Sequence, residues 1–249
     1  MFIMPGLLFA LYVTRSLDAV VTPEHRREIC RYIYNHQNED GGWGTLILGS
    51  SSMFGTCSNY ITLRLLGEQL DGNAALAHGR GWILSHGGAT LVPQWGKIWL
   101  SILGVYDWSG NNPIFPELWL VPQFLPFHPG KFWCLCRMVY LPMAYLYGKK
   151  FVGPITSTIL ALREEIYDVP YHKIDWGQAR STCAKEDLLC PRTTLQNVVW
   201  TSLYKYVEPV LNSWPINKLR EKAMKNLMEH IHYEDENSST SAYVPLTRL

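Results

Sequence analysis

Ten tryptophans and 14 tyrosines stand out among the 249 residues of this chain. Rings in that number must either fill a core or line something. The other groups able to do chemistry are few. Cys134 and Cys136 form a Cys-x-Cys pair rather than the Cys-x-x-Cys of most zinc sites, and the only close histidine pair, His230 and His232, stands far along the chain, so no metal site is expected. Glu234-Asp235-Glu236 has the composition of a paired-carboxylate acid–base centre. Three acids after a helical pattern read more simply as a solvated turn. The most suggestive spacing is Gln37-x-x-x-Gly41-x-Trp43, in a polar, glycine-rich turn. A glutamine amide has two donors and two acceptor lone pairs, so it can bond the backbone ends of adjacent helices while the tryptophan closes the turn.

The elements that must position these groups are helical. Hydrophobic residues make up 47% and charged residues 17% of the chain, which excludes intrinsic disorder. A net charge of +1 supplies no field to select a nucleic acid. The six cysteines lack the spacing of a small secreted domain, and reduced thiols in a cytosol-facing protein are expected. The start, MFIMPGLLFALYVT, has no basic leader region and is too short to span a bilayer; it reads as a buried helix. Thr22-Pro23-Glu24 starts a helix running to about Gln37, with a capping hydroxyl, a proline in the first turn and an acid at the positive end. Further helices are predicted near Met53–Leu66, ending at Gly67, and over Ala74–Ser85, stopped by Gly87-Gly88. Trp95, Ile98, Trp99 and Ile102 follow i, i+3, i+4, i+7 spacing, one apolar helix face. Five prolines among large aromatics make 106–130 an irregular, buried loop. Helical patterns return at Lys131–Tyr147, 154–167, 194–211 and 216–232, and residues 238–249 read as a loose tail. Sustained strand alternation is absent, so the fold class is all-α, built of antiparallel helix pairs in one domain over 1–237.

Gln37-x-x-x-Gly41-x-Trp43 resembles the Gln–Trp repeat of the squalene and oxidosqualene cyclases, although similar turns occur in other α/α toroids such as prenyltransferases. Other segments are more specific. Met53-Phe-Gly-Thr, Asn59-Tyr-Ile-Thr-Leu-Arg-Leu-Leu-Gly67, Trp82-Ile-Leu-Ser-His-Gly-Gly-Ala89, Trp95-Gly-Lys97, Asp107-Trp-Ser-Gly-Asn-Asn-Pro113, Trp133-Cys-Leu-Cys-Arg137 and Tyr147-Gly-Lys-Lys-Phe-Val-Gly153 are similar to the plant oxidosqualene cyclases, of the cycloartenol synthase and β-amyrin synthase type. The resemblance runs through 1–237 in order and leaves 238–249 as a disordered tail outside the family. It implies an incomplete α/α-barrel with Pro-rich connecting loops, the N-terminal side and roughly a third of a whole enzyme. Such an enzyme folds (3S)-2,3-oxidosqualene in a dry cavity, protonates its epoxide and guides a carbocation to a sterol or triterpene alcohol, with no cofactor or metal. The resemblance also implies a monotopic protein at the cytosolic face of the endoplasmic reticulum or at a lipid droplet, without a signal peptide or membrane span, and no nucleic-acid partner.

By the same resemblance, Trp95, Trp133 and Leu135 line the substrate cavity, Cys136 and Tyr140 form a constriction in the channel leading to it, and Gln37, Gly41 and Trp43 are structural. The plain alternatives are core packing for the two tryptophans and Leu135, and for Tyr140 a buried hydroxyl on a carbonyl. Leu135 departs from the family, where His or Tyr is typical, so the product skeleton does not carry over. Leu46 and Leu48 stand where relatives tend to carry His and Glu. No aspartate of the chain is followed by cysteine, so the family's protonating Asp-Cys-Thr-Ala-Glu motif is absent and no catalytic residue is assigned. The chain is therefore expected to be a truncated cyclase without activity alone; a non-catalytic lipid-binding or partner module completed by another chain is the alternative, and an unrelated toroid the third. Separated from the rest of such an enzyme, it should expose an apolar face beyond the ~300–600 Å² typical of a monomer's largest patch. Size-exclusion chromatography without detergent should show aggregate or lipid-bound protein. A monodisperse, cooperatively melting monomer would contradict this.

Overall fold

The structure, a computed structural model, describes residues 3–126, 128–188 and 193–237, the side chains of residues 135–137 excepted. The tail assigned to 238–249 lies outside the described residues. The principal helices are α1 (Ile3–Val13), α2 (Pro23–Asn35), α3 (Met53–Leu65), α4 (Ala74–Ser85), α5 (Gln94–Leu103), α6 (Cys134–Lys149), α7 (Ser157–Glu165), α8 (Thr194–Ser202), α9 (Glu208–Asn212) and α10 (Asn217–Asn237). Among the described residues there is no strand. The all-α expectation therefore holds. The chain divides into two compact units, Met1–Asn111 with Val152–Pro191, and Asn112–Phe151 with Arg192–Leu249. Composition gave no hint of this division, because the chain passes between the units three times and no single linker separates them.

The first unit is centred on α3, which packs against α1, α2, α4 and α7. Ser52 caps it by accepting from the Gly55 amide at 3.0 Å. Every one of its residues is buried. A helix buried all round is usually apolar all round, yet this one carries Thr56, Asn59, Thr62 and Arg64. Most of their needs are met internally: Thr62 donates to the Ser58 carbonyl at 2.8 Å, Asn59 to the Gly55 carbonyl at 2.8 Å, and Arg64 pairs with Glu165 of α7 at 2.8 Å, while the Asn59 side-chain oxygen is left without a partner. The surrounding helices are amphipathic. In α2, capped by Thr22 accepting from His25, only Cys30 and Ile33 are buried. Burial pushes the Cys30 thiol up to about 11, which makes it inert at neutral pH. Helix α1 buries Leu8, Phe9, Ala10 and Val13 but exposes Ile3 and Leu7, so it is buried on one face only.

In the second unit, α6 and the 3₁₀ turn Pro116–Leu120 both pack on α10. Leu141 and Ala144 of α6 meet Leu227 and Ile231 of α10, with Ile114, Trp119 and Tyr145 around them. Arg220 of α10 donates to Glu117 of the turn at 2.6 Å, an almost fully buried ion pair.

Several expectations need correction. Helix α6 begins at Cys134, not Lys131, and Trp133 is its N-cap in extended conformation. The Pro-rich stretch is not wholly buried, since Phe124 is 80% exposed. The pattern over 194–211 is interrupted by a π turn at Leu203–Val207. Pro209 has no N–H to offer the Lys205 carbonyl, so the ordinary hydrogen-bond ladder breaks there. Glu234, Asp235 and Glu236 are exposed as expected, but lie within α10 rather than in a turn beyond it.

Two glycines of α4 give opposite predictions. A Cβ at Gly79 would lie 2.5 Å from Cζ3 of the buried Trp43 ring, whereas one at Gly81 would meet nothing within 4 Å. Gly79→Ala should destabilise the chain by ~1–3 kcal/mol and Gly81→Ala should stabilise it by up to ~1 kcal/mol, both read from urea denaturation in detergent.

Candidate functional site

The Gln37–Trp43 turn is a structural junction. The Gln37 side-chain amide donates to the Gly41 carbonyl at 2.7 Å and to the Ala75 carbonyl, in the first turn of α4, at 2.8 Å. Gly41 has φ +87°, and a Cβ there would also sit 2.9 Å from His78 Cβ, so the position demands glycine. The Trp43 ring is fully buried and its Nε1 donates to the Ile33 carbonyl of α2 at 2.8 Å. Its backbone N–H donates to Thr56 Oγ1 of α3 at 3.0 Å. Asp40 completes the junction by accepting from Ser51 Oγ at 2.6 Å, the Gly42 amide at 3.0 Å and Trp82 Nε1 at 3.0 Å. Partial burial works to raise the Asp40 carboxyl, but these hydrogen bonds and the nearby His86 outweigh it and hold the group below its ordinary 3.8. Beyond this turn Leu46 and Leu48 are 73% and 98% exposed, in a loop closed by the Gly49 amide on the Leu46 carbonyl.

Trp95 also belongs to the first unit. It is half-buried on α5 and meets Trp99 edge-on at 6.1 Å between centroids; Trp99 in turn meets Phe9 at 6.0 Å. The predicted apolar face is real, for Ile98, Trp99 and Ile102 are buried. Two features of α5 were not legible in its pattern. Lys97 is fully buried, and its ammonium donates to the Ala179 and Thr182 carbonyls at 2.6 Å each. Gln94 donates to Asn111, which donates to Ser101 at 2.8 Å.

Trp133, Leu135, Cys136 and Tyr140 belong to the second unit. Trp133 is 66% exposed and Tyr140 44% exposed. Phe132 meets Tyr140 edge-on at 6.4 Å. Neither Trp133 nor Tyr140 is core packing. The side chains of Leu135 and Cys136 lie outside the described residues; their backbone is helical, which puts Cys136 and Tyr140 four residues apart on α6.

The buried carboxylates are the groups that sequence reasoning missed, because their partners lie far away along the chain. Glu165 takes Arg64 through both oxygens, at 2.8 and 3.0 Å, and the Tyr60 hydroxyl at 2.7 Å. Glu117 holds Arg220. Glu208 accepts from the Tyr147 hydroxyl at 2.6 Å and from Lys150 at 3.2 Å. Burial raises the Asp187 carboxyl, and one of its oxygens accepts from the Phe54 amide at the start of α3 at 3.1 Å. The second unit also has an open groove of about 610 Å³, with Tyr145, Met224 and Met228 among its lining and Lys149, Lys225, Glu221 and Glu229 at its charged positions. Among the described residues no group of three or more His, Cys, Asp or Glu is placed to hold a metal ion, and no helix is long and apolar enough to cross a membrane.

Residues 10–247 match the squalene-hopene cyclase N-terminal domain. The chain belongs to this cyclase family. It is 48% identical to alpha-onocerin synthase LCD of Lycopodium clavatum over 251 residues, covering 100% of this chain and 33% of that protein. It is 47% identical to the cycloartenol synthase of Dictyostelium discoideum over 240 residues (96% and 33%), and 37% identical to the lanosterol synthase of Homo sapiens over 250 residues (100% and 33%). This cyclase-family chain thus spans about a third of the length of the curated relatives it matches. The oxidosqualene cyclase resemblance read from its motifs is the right one.

The geometry at Asp40 makes a pH prediction. A carboxylate held below its unfolded value contributes stability that is present above that value and lost as pH falls through the folded one. Asp40→Asn should therefore lower stability at pH 7 and flatten the loss of stability as the pH falls below 3.8, measured by urea midpoints from pH 7 to 3. An unchanged acid limb would show that the Asp40 bonds persist in the unfolded chain.

Proposed function

We propose that the chain forms part of the N-terminal barrel of an enzyme that cyclises (3S)-2,3-oxidosqualene to a sterol or triterpene alcohol, and that these residues alone do not perform the reaction. The observation that carries the reading is the end-to-end similarity to synthases of onocerin, cycloartenol and lanosterol, at 48%, 47% and 37% identity. Within that reading Trp95 and Trp133 supply ring faces to a developing carbocation, each worth ~2 kcal/mol or more once desolvated. Leu135 offers the cation only hydrocarbon, and Cys136 with Tyr140 narrows the approach. The substrate is taken from a membrane or lipid-droplet surface at the cytosolic side.

Cyclisation begins with proton transfer to the epoxide, and that needs a carboxylic acid kept protonated and free to donate. The described buried carboxyls suit another task. Glu165, Glu117 and Glu208 are ion-paired, and Asp187, although its carboxyl is raised by burial, faces a backbone donor as an acceptor. This supports a wall without an initiator. The residues that would hold the reacting epoxide's proton donor belong, in this reading, to the other two-thirds of the enzyme.

Purified chain incubated with oxidosqualene and analysed by gas chromatography–mass spectrometry should return the substrate uncyclised. Supplying the remaining two-thirds of a cyclase should restore a cyclic product. Any cyclic triterpene from the chain alone would overturn the assignment, and stoichiometric retention of substrate with no product in either arm would favour a lipid-binding module.

A further inference from the structure

Helix α5 carries two stripes. Trp95, Trp99 and Ile102 form the apolar one read from its spacing. Gln94, Lys97 and Ser101 follow i, i+3, i+7 spacing and form a second, polar one, roughly 130° round the helix axis from the first. Lys97 and Ser101 are fully buried and Gln94 is half-buried, so this second stripe faces protein rather than water. Each of its members is tied. The Gln94 amide donates to Asn111 Oδ1 at 3.1 Å, and Asn111 Nδ2 donates to Ser101 Oγ at 2.8 Å. The Lys97 ammonium donates to the Ala179 and Thr182 carbonyls at 2.6 Å each and lies 3.5 Å from the Arg180 carbonyl.

The turn that receives Lys97 is itself held at both ends of α5. The Ala184 amide donates to the Leu91 carbonyl at 2.8 Å and the Thr182 hydroxyl to the Thr90 carbonyl at 3.3 Å, just before the helix begins. Trp176, on the approach to the turn, meets Tyr106 edge-on at 4.6 Å, just after the helix ends. Gly96 presses α5 against α3, where a Cβ would lie 2.9 Å from Phe54 Cδ2. Trp95 stands half-buried in the first turn of α5, where the N-cap Pro93 gives no side-chain bond, and its ring meets Trp99 edge-on at 6.1 Å. The helix is thus fastened along the polar stripe, and the tryptophan projects from another side.

We propose that the polar stripe of α5 aims Trp95, with Lys97 as its principal positioning residue, and that the aim holds the indole face toward a developing carbocation. The last clause rests on the cyclase reading above; the aiming itself does not. Apolar contact is non-directional, so the tryptophan stripe alone would let α5 turn about its axis. Hydrogen bonds are directional, and a buried ammonium is costly to leave unbonded, so α5 cannot turn without losing the carbonyls of residues 179 and 182. A turn of about 20° would carry a ring at the ~6 Å radius of a helix with its side chains through ~2 Å. Such a displacement matters where a ring face must meet a charge that exists only on the way through the reaction, since a misplacement of about 1 Å can cost about 100-fold in rate.

Fluorine NMR of the whole chain in detergent, labelled with fluorotryptophan, tests the aiming; Trp95→Phe identifies the Trp95 line. Lys97→Met keeps the length of the side chain and removes its ammonium. It should shift and broaden the Trp95 line and leave that of Trp43 in place. Ser101→Ala, a milder cut in the same stripe, should move the Trp95 line in the same direction and by less, and it carries the test if Lys97→Met does not fold. Gly79→Ala, which strains the same unit at Trp43, should move the Trp43 line and leave that of Trp95. A Trp95 line unmoved by the stripe variants, or moved as far by Gly79→Ala, overturns the proposal, because Lys97 then only stabilises the fold. With the remaining two-thirds of a cyclase supplied and 2,3-oxidosqualene as substrate, Lys97→Met should lower kcat by about 100-fold and leave KM unchanged. An unchanged kcat beside a displaced Trp95 line overturns the part played in the chemistry and keeps the aiming. Failure of the unsubstituted chain to give product in that mixture counts against the cyclase reading and leaves the NMR outcome standing.

Discussion

Helix α3 is buried along its whole length, yet it carries polar side chains on every turn. An unsatisfied buried donor or acceptor costs ~1–3 kcal/mol, so each of those groups dictates where something else must be. Thr56 takes the backbone of Trp43 and so lays the glycine-rich turn onto α3. Arg64 draws Glu165 and with it α7. Trp43 then fastens the end of α2, and Gln37 the beginning of α4. The first unit is therefore assembled by hydrogen-bond obligations as much as by apolar burial, and its glycines mark where the backbone had to come close.

The second unit solves its packing with charge. Breaking a buried pair such as Glu117–Arg220 costs ~3–5 kcal/mol, even where forming it yields little net stability. Such pairs therefore specify position more than they add stability. They orient the 3₁₀ turn, α6 and α10, and they also decide the chemistry. A carboxylate committed to a guanidinium, an ammonium or a backbone amide is a poor proton donor. The same pairing that builds this unit holds the described carboxylates of Glu117 and Glu208 as acceptors.

Much of the fold was legible because its signals are local. The ends of α3 and α4 follow from Gly67 and Gly87, residues whose effect is exerted within one turn of helix, and the structure adds the caps Ser52 and Asn73 at their starts. The π turn before Pro209 was missed because a continuous apolar pattern hides a broken ladder. Trp133 was placed on a helix face because periodicity does not distinguish an N-cap from the first turn. At the site, the family resemblance named Trp95, Trp133 and Tyr140, but their exposure, partial for Trp95 and 66% and 44% for the other two, was beyond it.

The order of amino acids by itself settled the all-helical class, the ends of α3 and α4, the family and the absence of an Asp-Cys pair, all of which depend on residue type and short-range spacing. Tertiary structure alone decided that Lys97 is buried on carbonyls from residues 179 and 182, and that Glu208 reaches Tyr147 and Lys150. Those pairings join residues distant in sequence, and burial is a property of what surrounds a side chain. Neither is written in a window of neighbouring residues.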